Sequence, residues 1–138
     1  DLLIIRSNGS ENLVGRSSVV TNVGLGYSFA GYLVRLQVFT GCIESSYLHT
    51  VLESAMIRTA IEGPLRTTSG VKNINSTEIS RLIIPIPSGK EQKAIVQKVN
   101  ALMALCDSLE QEVQQSLEQI AQLMQSCLRE VFEPNNLN

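Results

Sequence analysis

Apolar residues from position 99 onward recur at alternating spacings of three and four. Val99, Cys106, Val113, Ile120 and Cys127 form one row, and Leu102, Leu109, Ser116, Leu123 and Glu130 form the other. That alternation is the seam of a coiled coil, with polar lapses at Ser116 and Glu130. A third row, Val96, Met103, Leu117, Met124 and Val131, widens the stripe enough to face more than one neighbour. No Pro or Gly interrupts residues 91–132. The spacing therefore predicts one helix, roughly 60 Å long at 1.5 Å per residue. A domain of this size cannot cover such a helix, so it is expected to project and meet a partner helix through Val99, Leu102, Cys106, Leu109, Val113, Ile120, Leu123 and Cys127. Its start is marked. Pro85 and Pro87 hold the preceding residues extended, and Ser88 with Glu91 forms a Ser-x-x-Glu capping box.

Upstream the pattern changes to short pieces. Residues 2–6 read as a strand, residues 7–10 as turn chemistry, and residues 13–20 as a second strand with polar residues at its centre. Residues 22–26 suit a turn and residues 32–38 a strand. Ser45 or Ser46 can cap a helix over residues 47–61, with Leu48, Val51, Leu52, Ala55 and Ile61 on its apolar face and Gly63-Pro64 as its stop. Residues 65–73 read as a polar loop. Asn75, three residues before Glu78, caps a short helix, and residues 82–86 read as a buried strand. Pro134 ends the long helix, and residues 134–138 are expected to fray. The division is a domain over 1–90, a helical spacer over 91–133 and the tail. The fold class is α/β: a small twisted sheet with short helices, then one long coiled-coil-forming helix. The chain opens on Asp1 inside a strand pattern, as a fragment whose N-terminal part is missing would.

Charge divides the chain in the same place. Net charge is −2 overall, but residues 1–90 carry eight Lys/Arg against six acids and residues 91–138 carry three against seven. A nucleic acid, if bound, belongs on the first part. Three cysteines without a Cys-x-x-Cys pair read as buried thiols in a reducing cytosol. No apolar run is long enough to span a bilayer and no signal peptide is visible, so the chain is read as cytoplasmic and without a membrane partner.

The residues offer little to catalysis. Gly24-x-Gly26 is followed by Phe29, where a dinucleotide loop needs a small residue. No phosphate-binding Gly-Lys-Ser/Thr loop is present. His49 is the only histidine, which argues against a metal site; a Cys42–His49 dyad has no supporting residue. No acid/base couple stands out. Two polar clusters remain: Arg6, Ser7, Asn8 and Ser10 with Arg16 and Ser17, and Arg66, Thr67 and Thr68 with Lys72 and Asn73. These side-chain types grip phosphates and contact base edges, although solvated loops share the composition.

The ordered set Gly70-Val71-x-Asn73-Ile74-Asn75, Ile79-Ser80-x-Leu82, Ile84-Pro85-Ile86-Pro87 and Glu91-Gln92-x-x-Ile95-Val96 resembles a junction in specificity subunits of type I restriction–modification enzymes. There a target recognition domain meets a conserved long helix. Asp1-Leu2-Leu3-Ile4-x-Arg6-x-Asn8-Gly9-Ser10 and Leu13-Val14-Gly15-Arg16 resemble middle strands of the same domain. The family pattern has Pro-Leu after the second proline; here Ser88-Gly89 stands instead, exchanging an apolar anchor for the capping serine.

The resemblance implies the C-terminal portion of a target recognition domain, non-catalytic and without a cofactor of its own, that recognises double-stranded DNA. In that family two such domains each take half of a split site. Two long helices running antiparallel fix their separation, and methyltransferase and restriction subunits dock on the assembly. The second helix would come from the same subunit or from a symmetry mate. A coiled-coil interaction module without DNA binding is the structural alternative, and a methyltransferase piece the enzymatic one; the latter needs a cofactor-binding glycine loop that this sequence does not contain.

Overall fold

The computed structural model describes residues 1–63, 66–68 and 71–132, with the backbone alone for 66–68 and 71. The chain forms two units, Asp1–Lys98 and Val99–Asn138.

The first unit is built on two small antiparallel sheets. Strand β1 (Leu2–Ile5) is the centre of one, flanked by β3 (Ser17–Val19) and β4 (Leu33–Leu36). Side chains alternate across a strand. Leu2 and Ile4 accordingly point inward and are fully buried, while Leu3 and Ile5 are half-buried. Leu2 lies opposite both Val19 and Leu36, so one apolar row crosses all three strands. The chain then passes to the second sheet at Arg6. Its N–H donates to Tyr32 O at 2.9 Å and its carbonyl accepts from Ile74 N at 2.8 Å. The second sheet has the order β2 (Ser7–Asn8), β6 (Val71–Asn73), β5 (Arg66–Thr68).

The helices α1 (Ser45–Leu52) and α2 (Ala55–Glu62) close the core with Leu2, Val14 and Ile74 through Leu52, Ile57 and Ile61. They replace the single helix expected over 47–61. On a straight helix Leu52 and Ile57 would stand about 140° apart, so one could face the core only if the other did not. The break at Glu53-Ser54 resolves this, and Ser54 caps the second helix by accepting from Ile57 N. Helix α1 starts after Glu44 without a side-chain cap, not at a capping Ser45 or Ser46. Tyr47 is buried and Ala55 is exposed.

Three further expectations change. Residues 13–20 carry a strand only at Ser17–Val19, because a 3-10 turn at Glu11–Leu13 and Gly15 in the left-handed region (φ 81°) intervene. A Cβ on Gly15 would lie 2.7 Å from Ile61 Cγ2. Of the polar loop expected over 65–73, residues 66–68 and 71–73 are paired strands; positions 65, 69 and 70 lie outside the described residues. Residues 82–86 form no strand: Ile83 is 85% exposed and Ile86 60%, while Leu82 and Ile84 pack on the core. Pro85 and Pro87 have no N–H to give a ladder.

The short helix α3 (Ser76–Ser80) carries the expected reciprocal capping box between Asn75 and Glu78. Helix α4 runs unbroken over Gly89–Phe132. Ser88 donates from its N–H and its hydroxyl to Glu91, at 3.0 and 2.7 Å, and accepts from Glu91 N. The hydroxyl and then the backbone N–H of Ser88 hold the Glu91 carboxyl below its ordinary pKa. The tail over 134–138 lies outside the described residues.

In the second unit the helical stripe is open. Leu102, Leu109, Val113, Ile120 and Leu123 are all about half-exposed or more. The cysteines, expected as buried thiols, are exposed as well: Cys106 and Cys127 share that row, and Cys42 sits in a loop.

Candidate nucleic-acid interface

The two polar clusters that lie some sixty positions apart in the chain meet in the second sheet. Ser7 is opposite Asn73, which is opposite Arg66; Asn8 is opposite Lys72, which is opposite Thr67; Thr68 is opposite Val71. Val71 alone among these strand residues is apolar. A sheet of this kind has no apolar face to bury, so it stands on backbone pairing and on its attachment at Arg6 and Ile74. Asn8 Oδ1 accepts from Ser10 N at 2.9 Å, shaping the turn that follows. Ser10 is exposed and makes no side-chain cap.

The cations around this sheet are held differently. Arg6 is exposed and has no side-chain partner among the described residues. Lys72 Nζ lies 3.3 Å from Glu11 Oε2. The side chain of Arg66 lies outside the described residues.

Arg16 and Ser17 join another network. Arg16 donates from Nε to Asn12 O at 3.1 Å and pairs through Nη1 with Glu53. Glu53 also accepts from Ser17 N at 3.1 Å, and the Ser17 hydroxyl shares a 2.9 Å hydrogen bond with His49 Nδ1. Burial pushes the Glu53 carboxyl up. The Arg16 and Ser17 hydrogen bonds and the charges of Arg16 and His49 outweigh it, and the pKa is lowered. This network ties β3 to α1. It does not resemble a hydrolytic triad, because Glu53 engages Arg16 and Ser17 instead of orienting the imidazole. His49 bonds Ser17 and not Cys42, and no group of residues suited to hold a metal occurs among the described residues. No described helix is long and apolar enough to cross a membrane.

The two groups touch through the 3-10 turn. Glu11 pairs with Lys72, and Asn12 O accepts from Arg16 and, at 3.4 Å, from Arg58. Arg58, which sequence reasoning passed over, is buried; it also donates to Val14 O at 2.8 Å and pairs with Glu62 at 2.9 Å. Its spacing, seven residues after Val51 and three before Ile61, put it on the apolar face, and a lone cation in that row was the signal that it would be buried and paired. Gln92 was legible as part of the Glu-Gln motif, but not as buried. Its amide accepts from Glu44 N at 2.8 Å and donates to Cys42 O and Pro87 O, both at 2.9 Å. Tyr47 adds a hydroxyl bond to Pro85 O at 2.9 Å.

Comparison with known proteins agrees with the junction. The chain is 33% identical over 132 residues to the type I restriction enzyme StySPI specificity subunit of Salmonella potsdam, covering 96% of this chain and 28% of that protein. It is 30% identical over 133 residues to the EcoKI specificity subunit of Escherichia coli K12, with the same coverage. The EcoBI specificity subunit of Escherichia coli is 28% identical over 119 residues, 86% of this chain and 25% of that protein. The chain thus spans less than a third of the length of these relatives. No solved structure matches it significantly. Residues 32–119 match the family described as the type I restriction modification DNA specificity domain. With more than half of its residues inside that match, the chain belongs to the family of type I restriction–modification DNA specificity domains.

Proposed function

We propose that this chain recognises a sequence in double-stranded DNA as part of a cytoplasmic type I restriction–modification complex, without performing chemistry itself. The observation that carries the reading is the polar sheet in which Ser7, Asn8, Arg66, Thr67, Thr68, Lys72 and Asn73 converge beside Arg6. Seryl, threonyl and asparaginyl groups donate and accept at base edges, Arg can bind guanine with two hydrogen bonds, and Lys acts as a point charge on phosphate. Arg16 and Ser17 border this surface through the Glu11–Asn12 turn. The excess of acids beyond residue 90 turns the helix away from phosphate.

The long helix takes the second role in the proposal. Its stripe of Val99, Leu102, Cys106, Leu109, Val113, Ile120, Leu123 and Cys127, half-buried at Val99 and open from Leu102 onward, packs against a second long helix, from the same subunit or a symmetry mate. The pair sets the distance between two recognition domains and offers a platform to modification and restriction subunits. That stripe also favours the alternative reading, a coiled-coil module that binds protein only.

Arg6→Ala and Arg66→Ala in the assembled complex decide between them. A base-contacting Arg loses about 1–3 kcal/mol on cognate duplex and much less on a scrambled one. Salt-insensitive or absent DNA binding by the parent supports the protein-only module. Methyl transfer by the purified chain without added subunits overturns the non-catalytic assignment.

A further inference from the structure

We infer that Arg16 reads a guanine and that Glu53 is the positioning residue that holds its guanidinium for that contact. The inference rests on the DNA-recognition reading above and adds to it the residue that determines one base of the site.

The backbone of Arg16 is fixed on both sides. Its N–H donates to Leu13 O at 3.1 Å, and its carbonyl accepts from Ile5 N, on the central strand β1, at 2.9 Å. The side chain is fixed as well. Nε donates to Asn12 O at 3.1 Å, and Nη1 pairs with one oxygen of Glu53. A guanidinium has five N–H groups. These two bonds leave three of them, including both on Nη2, without a partner among the described residues. With 47% of the side chain exposed, a planar set of donors stays available in one orientation. Guanine presents two acceptors, N7 and O6, that match adjacent guanidinium donors.

Glu53 is itself held. It stands at the C-terminal end of α1, and its other oxygen accepts from Ser17 N at 3.1 Å. The Ser17 hydroxyl in turn bonds His49, one helical turn earlier on α1. A carboxylate with one oxygen on the backbone of β3 and the other on Arg16 sets the plane of the guanidinium, because hydrogen bonds are directional. Its lowered pKa keeps it charged at neutral pH.

This anchoring separates Arg16 from the other cations. Arg6 is exposed and has no side-chain partner among the described residues. Ordering it on a base removes rotamer freedom that Arg16 has already given up. Lys72 is a point charge without a planar fork. Arg35 is also paired, with Asp1, but it stands on β4, outside both polar clusters. Through Asn12 the held guanidinium joins the turn whose Glu11 lies against Lys72 of the polar sheet. One turn therefore connects a base reader to a phosphate contact.

The test uses the full-length specificity subunit assembled with its modification subunits. Duplexes are selected from a random pool by the parent, R16K and E53Q, and the bound sequences are read position by position. Affinity for a scrambled duplex is titrated at two salt concentrations. R16K keeps the charge and removes the fork. E53D, a carboxylate one methylene short, takes the place of E53Q should that variant fail to assemble; circular dichroism is recorded for each. The parent is expected to prefer guanine at one position about tenfold or more over the other bases. In R16K that preference should fall to about twofold or less, with the other positions and the salt slope unchanged. In E53Q it should fall by about 2- to 10-fold at the same position only. An R16K that keeps every base preference, or that weakens all sequences alike, overturns the role of Arg16 and leaves the DNA-recognition reading standing. An E53Q that keeps the parent's guanine preference, including one that binds every duplex more tightly, overturns the positioning role of Glu53. A parent that enriches no sequence overturns both readings.

Discussion

Lys72 offers the most quantitative test of the proposed interface. It occupies the middle strand of the polar sheet, opposite Asn8 and Thr67, with its ammonium 3.3 Å from Glu11. The two side chains are 31% and 48% exposed, so their pair is worth no more than about 1 kcal/mol and a phosphate can displace it. Lys72→Ala in the assembled complex should remove one phosphate contact. It should weaken cognate and scrambled duplexes alike and lower the salt slope by about one unit. Between about 50 and 200 mM salt one such contact changes affinity about 3.5-fold, so the deficit of the variant should shrink by that factor across the range. Glu11→Gln removes the competitor and should strengthen binding to both duplexes by up to about fivefold. Fluorescence anisotropy titrations at four salt concentrations measure both. A parental slope in Lys72→Ala, together with a neutral Glu11→Gln, refutes the phosphate assignment; a loss confined to cognate duplex shows that Lys72 reads a base instead.

Three further outcomes follow from the geometry. Gly15→Ala places a Cβ against Ile61 at a left-handed φ, and should cost about 2–4 kcal/mol in denaturant melts; unchanged stability contradicts the close approach. Glu53→Gln should cost about 1 kcal/mol at neutral pH, discounted because Arg16 is 47% exposed. The Glu53 carboxyl has a lowered folded pKa, so its contribution is complete above the unfolded value of about 4.3 and is lost as pH falls through the folded value. The difference between Glu53→Gln and the parent should therefore vanish on acidification; a difference that persists in acid rules out the ion pair as its source. The isolated chain should self-associate through its open stripe, and Leu109→Asp should abolish that, since burying an unpaired carboxylate costs several kcal/mol. Sedimentation showing a monomeric parent would contradict this.

The features legible in the chain were those decided within a few residues. Ser88 with Glu91 and Asn75 with Glu78 cap helices through contacts three positions apart, and the uninterrupted run after Glu91 has no way to end before Phe132. The Pro-x-Pro and Glu-Gln junction identified the family for the same reason: it is contiguous. Local pattern misled where two demands competed. The apolar run at 82–86 promised a strand, but Pro85 interrupts its ladder of donors and Pro87 follows directly on it. The stretch at 47–61 satisfied helical spacing throughout, yet only a break at Ser54 lets Leu52 and Ile57 share one core.

Other features had no local signature, because their partners lie 37 to 66 positions away. Nothing near Arg16 announces Glu53, and nothing in the 65–73 stretch announces Ser7 and Asn8. By itself the sequence determined the capped starts of α3 and α4, the apolar stripe, the charge division and the family, all carried by near neighbours along the chain. Only the tertiary structure decided that two polar segments form one sheet and that Arg16 is held by a carboxylate. It alone made a polar residue of α4, Gln92, a buried clasp on three backbone groups. Such pairings depend on which distant hydrogen-bonding groups the packed core leaves in need of a partner.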